Sequence, residues 1–454
     1  MSNEQLISSI LKATSLNSKI TDIQWKTQDA GESSLLFYWI NDDAVSIAAF
    51  KERISHSAFA WLVVNKPLVD LPSNSTVIDE ALWAETQKNC LDVVYPLPVL
   101  KFMALTGTNG KTTTTDLILQ LGELMGRRGL SIGTLGVREN HKTILDFGLT
   151  SPSLIDLRKF LFLYGQDKDF CVLEASSHAL LQKRLWGLEF DGVGWTSFSQ
   201  DHLDYHHSME AYFEAKCLLF EQMKPLAKAY VPREQEQLFD MISNKFSRVC
   251  KTQKIEGELP VFFQAKFNRN NLEVAVSILE DVFKEKVPER WQELTPTDGR
   301  FYIRSYKSNY IIIDFAHTPD ALDNICQGIR EAFPDFKLKT LFGCGGDRDR
   351  TKRPLMGSIA ERWSDEIYLT SDNPRSEEPM TIISDIAAGI QHKNFQQIVE
   401  RPKAVQTALS ELKEKEVLLL AGKGHEDYIL IKGTKHPYSD IQEVESFLTR
   451  NKHD

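Results

Sequence analysis

The stretch that most narrows the folds open to this chain is residues 106–116, TGTNGKTTTTD. It follows the apolar run Val99–Leu105 and precedes Leu117, Ile118, Leu121, Leu124 and Met125, which fall on one face of a helix. An apolar strand, a glycine loop and an amphipathic helix in that order form the opening unit of an α/β sheet, and they are the context a phosphate-binding loop needs. Glycines at 107 and 110 let main-chain N–H groups turn onto phosphate oxygens, and the helix N-terminus adds positive potential. Lys111 is then expected to contact the β and γ phosphates, and the Thr112 hydroxyl to hold Mg²⁺. The spacing is short, however. In the usual G-x-x-x-x-G-K-[ST] loop the first glycine would stand where this chain has Leu105.

At 454 residues the chain exceeds one ordinary core, and about three domains of ~150 residues are expected. Apolar runs of strand length alternate with helical spacing from Val99 onward, with further strands expected at Phe170–Leu173 and Val193–Thr196. A second such block begins near Gly299, with strands at Tyr310–Phe315, Leu338–Phe342, Ile367–Thr370 and Val417–Ala421. In residues 1–97 the segments Ser34–Trp39, Val45–Phe50 and Phe59–Val64 read as short strands or buried helices, and Tyr95–Pro98 reads as a linker. The formal charge of −10 argues against nucleic-acid binding, which relies on basic patches. Six scattered cysteines without a C-x-x-C pair indicate free thiols in a reducing compartment. Neither a secretory leader nor an apolar run of membrane length is legible, so the expected location is the cytoplasm, without membrane insertion.

A phosphate loop needs an acid for its metal. Glu174 ends the apolar run FCVLE, where a carboxylate at a strand tip can bind Mg²⁺ directly or through water. The stretch SQDHLDYHH (199–207) concentrates histidines and aspartates. His202 and His206 have the i, i+4 spacing of a zinc pair, but the glutamate of HExxH is absent. A second Mg²⁺-linked site using His202 fits better, with Asp204, Tyr205, His206 and His207 shaping the loop. Lys216, read bare, is a surface lysine on a helix.

TGTNGKTTT, EASSHALLQKR, QDHLDYH and YFEAKCLLF stand in the order and spacing of the Mur ligases, the ATP-dependent amino-acid-adding enzymes of peptidoglycan synthesis. The runs DFAHTPDAL, FGCGGDRDRTKRPLMG, TSDNPRSEEP and AGKGHEDY resemble the tripeptide-synthetase branch of that family, over roughly residues 99 to 440. The family's loop has the shorter G-x-x-G-K-[ST] form, which accounts for the spacing. The resemblance implies a three-domain α/β fold: a small α/β amino-terminal domain that binds a UDP-sugar (1–97), a central P-loop ATPase-like domain with a mainly parallel sheet (98–298), and a carboxy-terminal Rossmann-like domain that binds the amino acid (299–454). It implies transfer of the ATP γ-phosphoryl group to a substrate carboxylate. An amine then attacks the acyl phosphate, and an amide forms as phosphate leaves.

The same resemblance carries roles onto this sequence. Gly107, Thr108, Asn109, Gly110, Lys111, Thr112 and Thr113 would hold the ATP phosphates, with Asn268 and Asn271 near adenosine, though asparagines in a turn are the plain alternative. Arg300, Asp314 and His317 would meet ATP at the domain interface. Two Mg²⁺ ions are implied, one at Thr112 and Glu174, the other at His202 and Lys216, the lysine as its carbamate. The catalytic set is Lys111, Lys216 and His202. Thr150, Ser151, Ser176, Gln182 and Arg184 would hold UDP-N-acetylmuramoyl-L-Ala-D-Glu, local capping being the alternative for the serines. Arg348, Asp372, Asn373, Pro374, Arg375, Gly422 and Glu426 match the pocket of enzymes that add meso-diaminopimelate. Its extra carboxylate calls for an arginine fork, and its distal ammonium for Glu426 or Asp372. A Pro-centred turn is the plain reading of DNPR alone.

The resemblance departs from the family in the amino-terminal block. Trp25 stands where a short serine–arginine pair is expected, so uridine contacts cannot be carried over. The rival readings are a lysine-adding, murein-recycling or folylpolyglutamate-type ligase, and, from another class, a P-loop ATPase switch. The protein is expected to be a monomer.

Overall fold

The computed structural model describes residues 3–13, 19–140 and 142–451. Three sheets stack along the chain, and a two-stranded hairpin closes the set. The first sheet is parallel throughout, in the order β1 (Asp22–Gln24), β2 (Ser34–Tyr38), β3 (Trp61–Val64), β4 (Ser75–Val77). Its helices are α1 (Asn3–Leu11), α2 (Ala44–Ser55) and α3 (Trp83–Val94). Ser34–Tyr38 and Trp61–Val64 are thus strands, whereas Val45–Phe50 is helical, with Asp43 accepting from Ser46 N as its cap.

The central sheet has eight strands: β5 (Lys101–Thr106), β6 (Gly129–Gly133), β7 (Gly136–Glu139), β8 (Lys142–Leu145), β9 (Phe170–Glu174), β10 (Phe190–Trp195), β11 (Met223–Val231) and β12 (Val249–Lys251). Their order is β12-β11-β10-β5-β9-β6-β7-β8. Only the β6-β7 and β7-β8 pairs are antiparallel. Its helices are α4 (Lys111–Leu124), α5 (Leu154–Tyr164), α6 (Ser177–Leu181), α7 (Leu203–His206), α8 (Met209–Glu221), α9 (Glu236–Ser243) and α10 (Lys266–Phe283). Because β5 lies between β9 and β10, connections leave it towards both sides. The crevice at its carboxyl end is therefore a switch point, where α/β sheets bind ligands.

The third sheet runs β13 (Tyr302–Tyr306), β14 (Asn309–Asp314), β18 (Glu416–Ala421), β15 (Lys337–Phe342), β16 (Glu366–Leu369), β17 (Phe395–Gln397), with β13 alone antiparallel. Flanking it are α11 (Pro319–Ala332), α12 (Lys352–Trp363), α13 (Pro379–Ala387), α14 (Arg401–Ser410) and α15 (Asp440–Arg450). The hairpin is β19 (Tyr428–Ile431) and β20 (Thr434–Pro437). β18 is buried at every position, as an inner parallel strand covered on both faces should be.

Side chains on α5 tie the first sheet's unit to the central one. Asp156 accepts from the Trp25 indole (2.8 Å), Arg158 donates to Tyr95 O and Asp92, and Lys159 pairs with Asp22. The Tyr95 hydroxyl donates to Asp22, so the segment read as a linker is an anchored contact. The passage into the third sheet is held from α4. Gln120 brackets Thr295, accepting from its N–H (2.9 Å) and donating to its carbonyl (3.0 Å). Asp116 accepts from Thr297 Oγ1 (2.9 Å) and pairs with buried Arg138 (2.7 Å). Among the described residues no helix is long and apolar enough to cross a membrane.

Candidate active site

The loop between β5 and α4 is tightly enclosed. A Cβ on Gly107 (φ +146°) would stand 2.2 Å from Thr196 Oγ1, and one on Gly110 (φ +89°) 2.5 Å from Asn271 Oδ1. Neither position tolerates a side chain. The Thr108 and Asn109 amides donate to Ser197 O and Oγ, both at 2.9 Å, which pins the loop to the segment after β10. Thr114 N closes the first helical turn onto Gly110 O (2.9 Å). The amides of Lys111, Thr112 and Thr113 lead α4 and have no partner inside it, so they are the donors available to an anion. Lys111 Nζ curls back onto Gly107 O (2.8 Å) and Thr108 O (2.9 Å). Burial lowers its pKa, against the opposing pull of Glu174 and Asp201.

Glu174 ends β9 directly beside Leu105 of β5 and is 2 % exposed. Its Oε2 accepts from Thr112 Oγ1 (3.1 Å) and Thr134 Oγ1 (3.0 Å), and its Oε1 from Thr134 N (2.8 Å). A buried carboxylate touching a hydroxyl at a phosphate loop is an oxygen set suited to Mg²⁺, which takes few protein ligands and completes its shell with phosphate and water.

Lys216 corrects the bare reading of a surface lysine. It is 1 % exposed, because α8 turns Tyr212, Phe213, Cys217 and Phe220 inward and Lys216 falls on the same stripe. Its Nζ donates to Gly107 O at 2.9 Å, the same carbonyl that Lys111 uses, and lies 4.4 Å from the Tyr212 ring centre. Burial, and then the charge of Lys111, hold its pKa well below the usual lysine value. His202 caps α7 with φ +53°, sits 3.3 Å from Asp201 and meets the His178 ring edge-on at 4.8 Å. His206 is buried against Ser177 Oγ (2.9 Å), and Asp204's side chain lies outside the described residues. Among the described residues no cluster of three or more His, Cys, Asp or Glu side chains is placed to hold a metal ion.

Asn268 and Asn271 sit in the first turns of α10, buried, and not in a turn between elements. Asn268 Nδ2 donates to Phe262 O (2.9 Å), and Asn271 Oδ1 faces Gly110. Opposite them the third sheet contributes Arg300, whose guanidinium lies over the Phe315 ring (4.7 Å), together with Asp314, His317 and His425. Asp314 accepts from Phe301 N and Ala316 N, both at 2.8 Å, so in this structure its oxygens hold the turn. Burial raises its pKa, partly offset by Arg300, and burial lowers those of His317 and His425. The two walls enclose one cleft of about 1530 Å³, which reaches from Lys111, Thr112, Glu174 and His202 to Glu426.

Thr150 lines that cleft, accepting from Thr134 Oγ1 (3.2 Å). Ser151, Ser176, Gln182 and Arg184 lie outside it. Ser151 Oγ donates to Glu174 O (2.8 Å), and Ser176 caps α6 through Ala179 N (3.2 Å), which is the plain capping role. The Arg184 fork is closed on protein: Nε and Nη2 donate to Gln182 Oε1, and Nη1 to Ser151 O.

Of the residues expected to form an acceptor pocket, only Glu426 lines the cleft. The others gather behind it, at the carboxyl ends of β15, β16 and β18. Arg375 (φ +53°) donates through Nη1 to Gly346 O (2.7 Å), and its main chain pairs with Leu430 and Lys432 of the hairpin. Arg348 is exposed, with its Cγ on the same side of Gly345 as the Arg375 guanidinium. Arg353, 0 % exposed, forks onto Glu377 (2.7 and 3.0 Å) and holds that carboxyl down at about 2. Glu377 in turn accepts from Asp347 N (2.6 Å), so the Arg348 loop is tied to the Arg375 loop.

Sequence reasoning missed Lys423. It is fully buried, and its Nζ donates to Glu426 Oε2 (2.8 Å), Asp372 Oδ1 (3.1 Å) and Asn373 Oδ1 (3.3 Å). Asp372 and Glu426 were expected to lie open to a ligand ammonium; each already accepts from an internal one. The available signal was a lysine two residues past the apolar run 417–421, between glycines, with a glutamate at i+3.

The sequence matches the Mur ligase middle domain over residues 105–287 and the Mur ligase glutamate ligase domain over residues 299–424. It is 32 % identical to UDP-N-acetylmuramoyl-L-alanyl-D-glutamate–2,6-diaminopimelate ligase 1 of Clostridium acetobutylicum, over 95 % of each chain. To the enzyme of that name (without the numeral) from Aquifex aeolicus it is 37 % identical, over 78 % of each. A solved structure of a UDP-N-acetylmuramoyl-L-alanyl-D-glutamate–2,6-diaminopimelate ligase superposes with a TM-score of 0.65 at 26 % identity, over 99 % of both chains.

Proposed function

We propose that this chain, which belongs to the Mur ligase family, is an ATP-dependent ligase that adds meso-2,6-diaminopimelate to UDP-N-acetylmuramoyl-L-Ala-D-Glu, a step of peptidoglycan synthesis. The observation that carries the reading is the single cleft with a phosphate loop on one wall and Glu426 on the other. A ligase of this kind must bring a triphosphate, an acid and an amine together, and closeness of that sort lowers the barrier more than any one contact. A carboxylate is a poor electrophile at neutral pH. Taking the γ-phosphoryl group makes it an acyl phosphate and leaves ADP. The acceptor's neutral amine then attacks the acyl carbon, the C–O bond to phosphate breaks, and the amine proton departs as the amide forms.

The residues present suit these groups. The α4 amides and Lys111, swung off its own loop, would meet the phosphates, with Asn268, Asn271, Arg300, Asp314 and His317 around the rest of ATP. Thr112 and Glu174 would hold one Mg²⁺, and His202 with a carbamate of Lys216 a second; the metals would supply electrostatic stabilisation of the transferring phosphoryl group. Lys216 suits carbamate formation because CO₂ adds to an uncharged amine, and burial beside Lys111 favours that form. Arg375 and Arg348 would read the acceptor's second carboxylate, and Ser151, Ser176, Gln182 and Arg184 the donor's peptide. The protein is read as a cytoplasmic monomer.

The test supplies purified protein with ATP, Mg²⁺ and UDP-N-acetylmuramoyl-L-Ala-D-Glu, with meso-diaminopimelate or lysine in parallel reactions. A product mass corresponding to the diaminopimelate adduct is expected. Equal turnover of lysine, or phosphate release indifferent to any amino acid, would refute the assignment.

A further inference from the structure

Lys423 has no access to solvent, and each of its three ammonium hydrogens has a protein acceptor: Asp372, Asn373 and Glu426. It has no donor left for a ligand. Asn373 is fixed in turn, donating from Nδ2 to Glu426 Oε2 (2.9 Å) and accepting from Leu430 N (2.8 Å). Each carboxylate therefore has one oxygen held from inside and one that Lys423 does not use. Glu426 Oε1 is the free one on a residue lining the cleft. Asp372 Oδ2 points at Gly422, where a Cβ would stand 3.3 Å away.

Asp372 is buried and Glu426 partly so, and one ammonium group holds both carboxylates. We infer that Lys423 is a positioning residue for the amino-acid acceptor. It is an internal counter-ion that orients Asp372 and Glu426 and cancels one of their two charges, so that the pair offers one net negative charge to one ammonium group of the acceptor. The inference rests on the ligase reading above and adds to it how the acceptor's ammonium is selected. Without Lys423 the two carboxylates would lose the shared contact that orients them, and an acceptor ammonium would meet a less ordered partner.

The experiment measures kcat, and KM for acceptor and for ATP. It compares the full-length unmodified chain, Lys423→Met, Glu426→Gln and the double variant; Lys423→Gln replaces the Met variant should that prove insoluble. Lys423→Met should raise acceptor KM about tenfold or more while ATP KM stays within about twofold. In the double variant the two losses should fall short of additive, since Lys423 acts through Glu426. Additive losses, or a matching rise in ATP KM, would overturn the assignment while leaving the ligase reading intact. If no amino acid stimulates phosphate release by the unmodified chain, the ligase reading fails and the role of Lys423 fails with it.

Discussion

At the phosphate-loop end of the cleft, Lys111 and Lys216 both aim their ammonium groups at one carbonyl, that of Gly107. At the end that holds Glu426, proposed above for the acceptor, one lysine, Lys423, is shared by two carboxylates and an amide oxygen. Lys216 and Lys423 are alike in burial and opposite in company. An ammonium buried beside another ammonium is driven toward the neutral amine, which is the form that can react or take up CO₂. An ammonium buried between two carboxylates is a paired ion, and its use is to fix geometry. The first arrangement favours chemistry at the lysine itself, and the second favours recognition by its neighbours.

The largest effect should come from the loop end. Lys111→Ala should cut acceptor-dependent phosphate release by about 10³-fold, because it removes the charge proposed to swing onto the transferring phosphoryl group. A residual rate within about tenfold of the unmodified protein would mean that phosphoryl transfer is not centred there. At the acceptor end, Arg375→Ala should raise KM for a dicarboxylate acceptor by about 10–100-fold and leave ATP affinity nearly unchanged. Parallel titrations with ATP and with acceptor would check this split, and a shared loss would erase the contrast between the two ends.

The smallest effect concerns stability. Lys216→Met removes a buried amine whose charged form is opposed by burial and by Lys111, and should raise the melting temperature by a few degrees, about 1–2 kcal/mol. The sign follows from the lowered pKa. Between that value and 10.5, the unfolded chain carries a proton that the folded chain lacks, so the unmodified protein gains stability as pH rises. The advantage of the Met variant should thus be greatest at low pH and shrink towards pH 10. Melts in bicarbonate-free buffer at pH 6, 7.5 and 9 would show it. A gap that widens with pH would contradict the account.

The legible parts of the sequence were those where one rule dominates. β5, its glycine loop and α4 could be read because this inner strand is apolar over 102–105 and only glycine fits at 107 and 110. β14, β15, β16 and β18 of the third sheet were legible from their apolar runs, whereas its edge strands β13 and β17 were not singled out. β7 and β8 were not, since β8 is a largely exposed edge strand without an apolar run. Nor was α2 separable from a strand, because Val45 is exposed and the apolar spacing is short. Lys216 was hidden by its residue type, although Phe213, Cys217 and Phe220 mark its helix face as the buried one. Lys423 was hidden because its partners Asp372 and Asn373 lie some fifty residues away, and only the fold brings β16 and β18 to one edge of the pocket.

The central claim is that the cleft phosphorylates a donor carboxylate before an amine attacks it. Hydroxylamine added to protein, ATP, Mg²⁺ and UDP-N-acetylmuramoyl-L-Ala-D-Glu, without an amino-acid acceptor, tests this most directly. The account predicts a donor hydroxamate in step with ADP, absent with Lys111→Ala. Brisk ADP formation with no hydroxamate would contradict it.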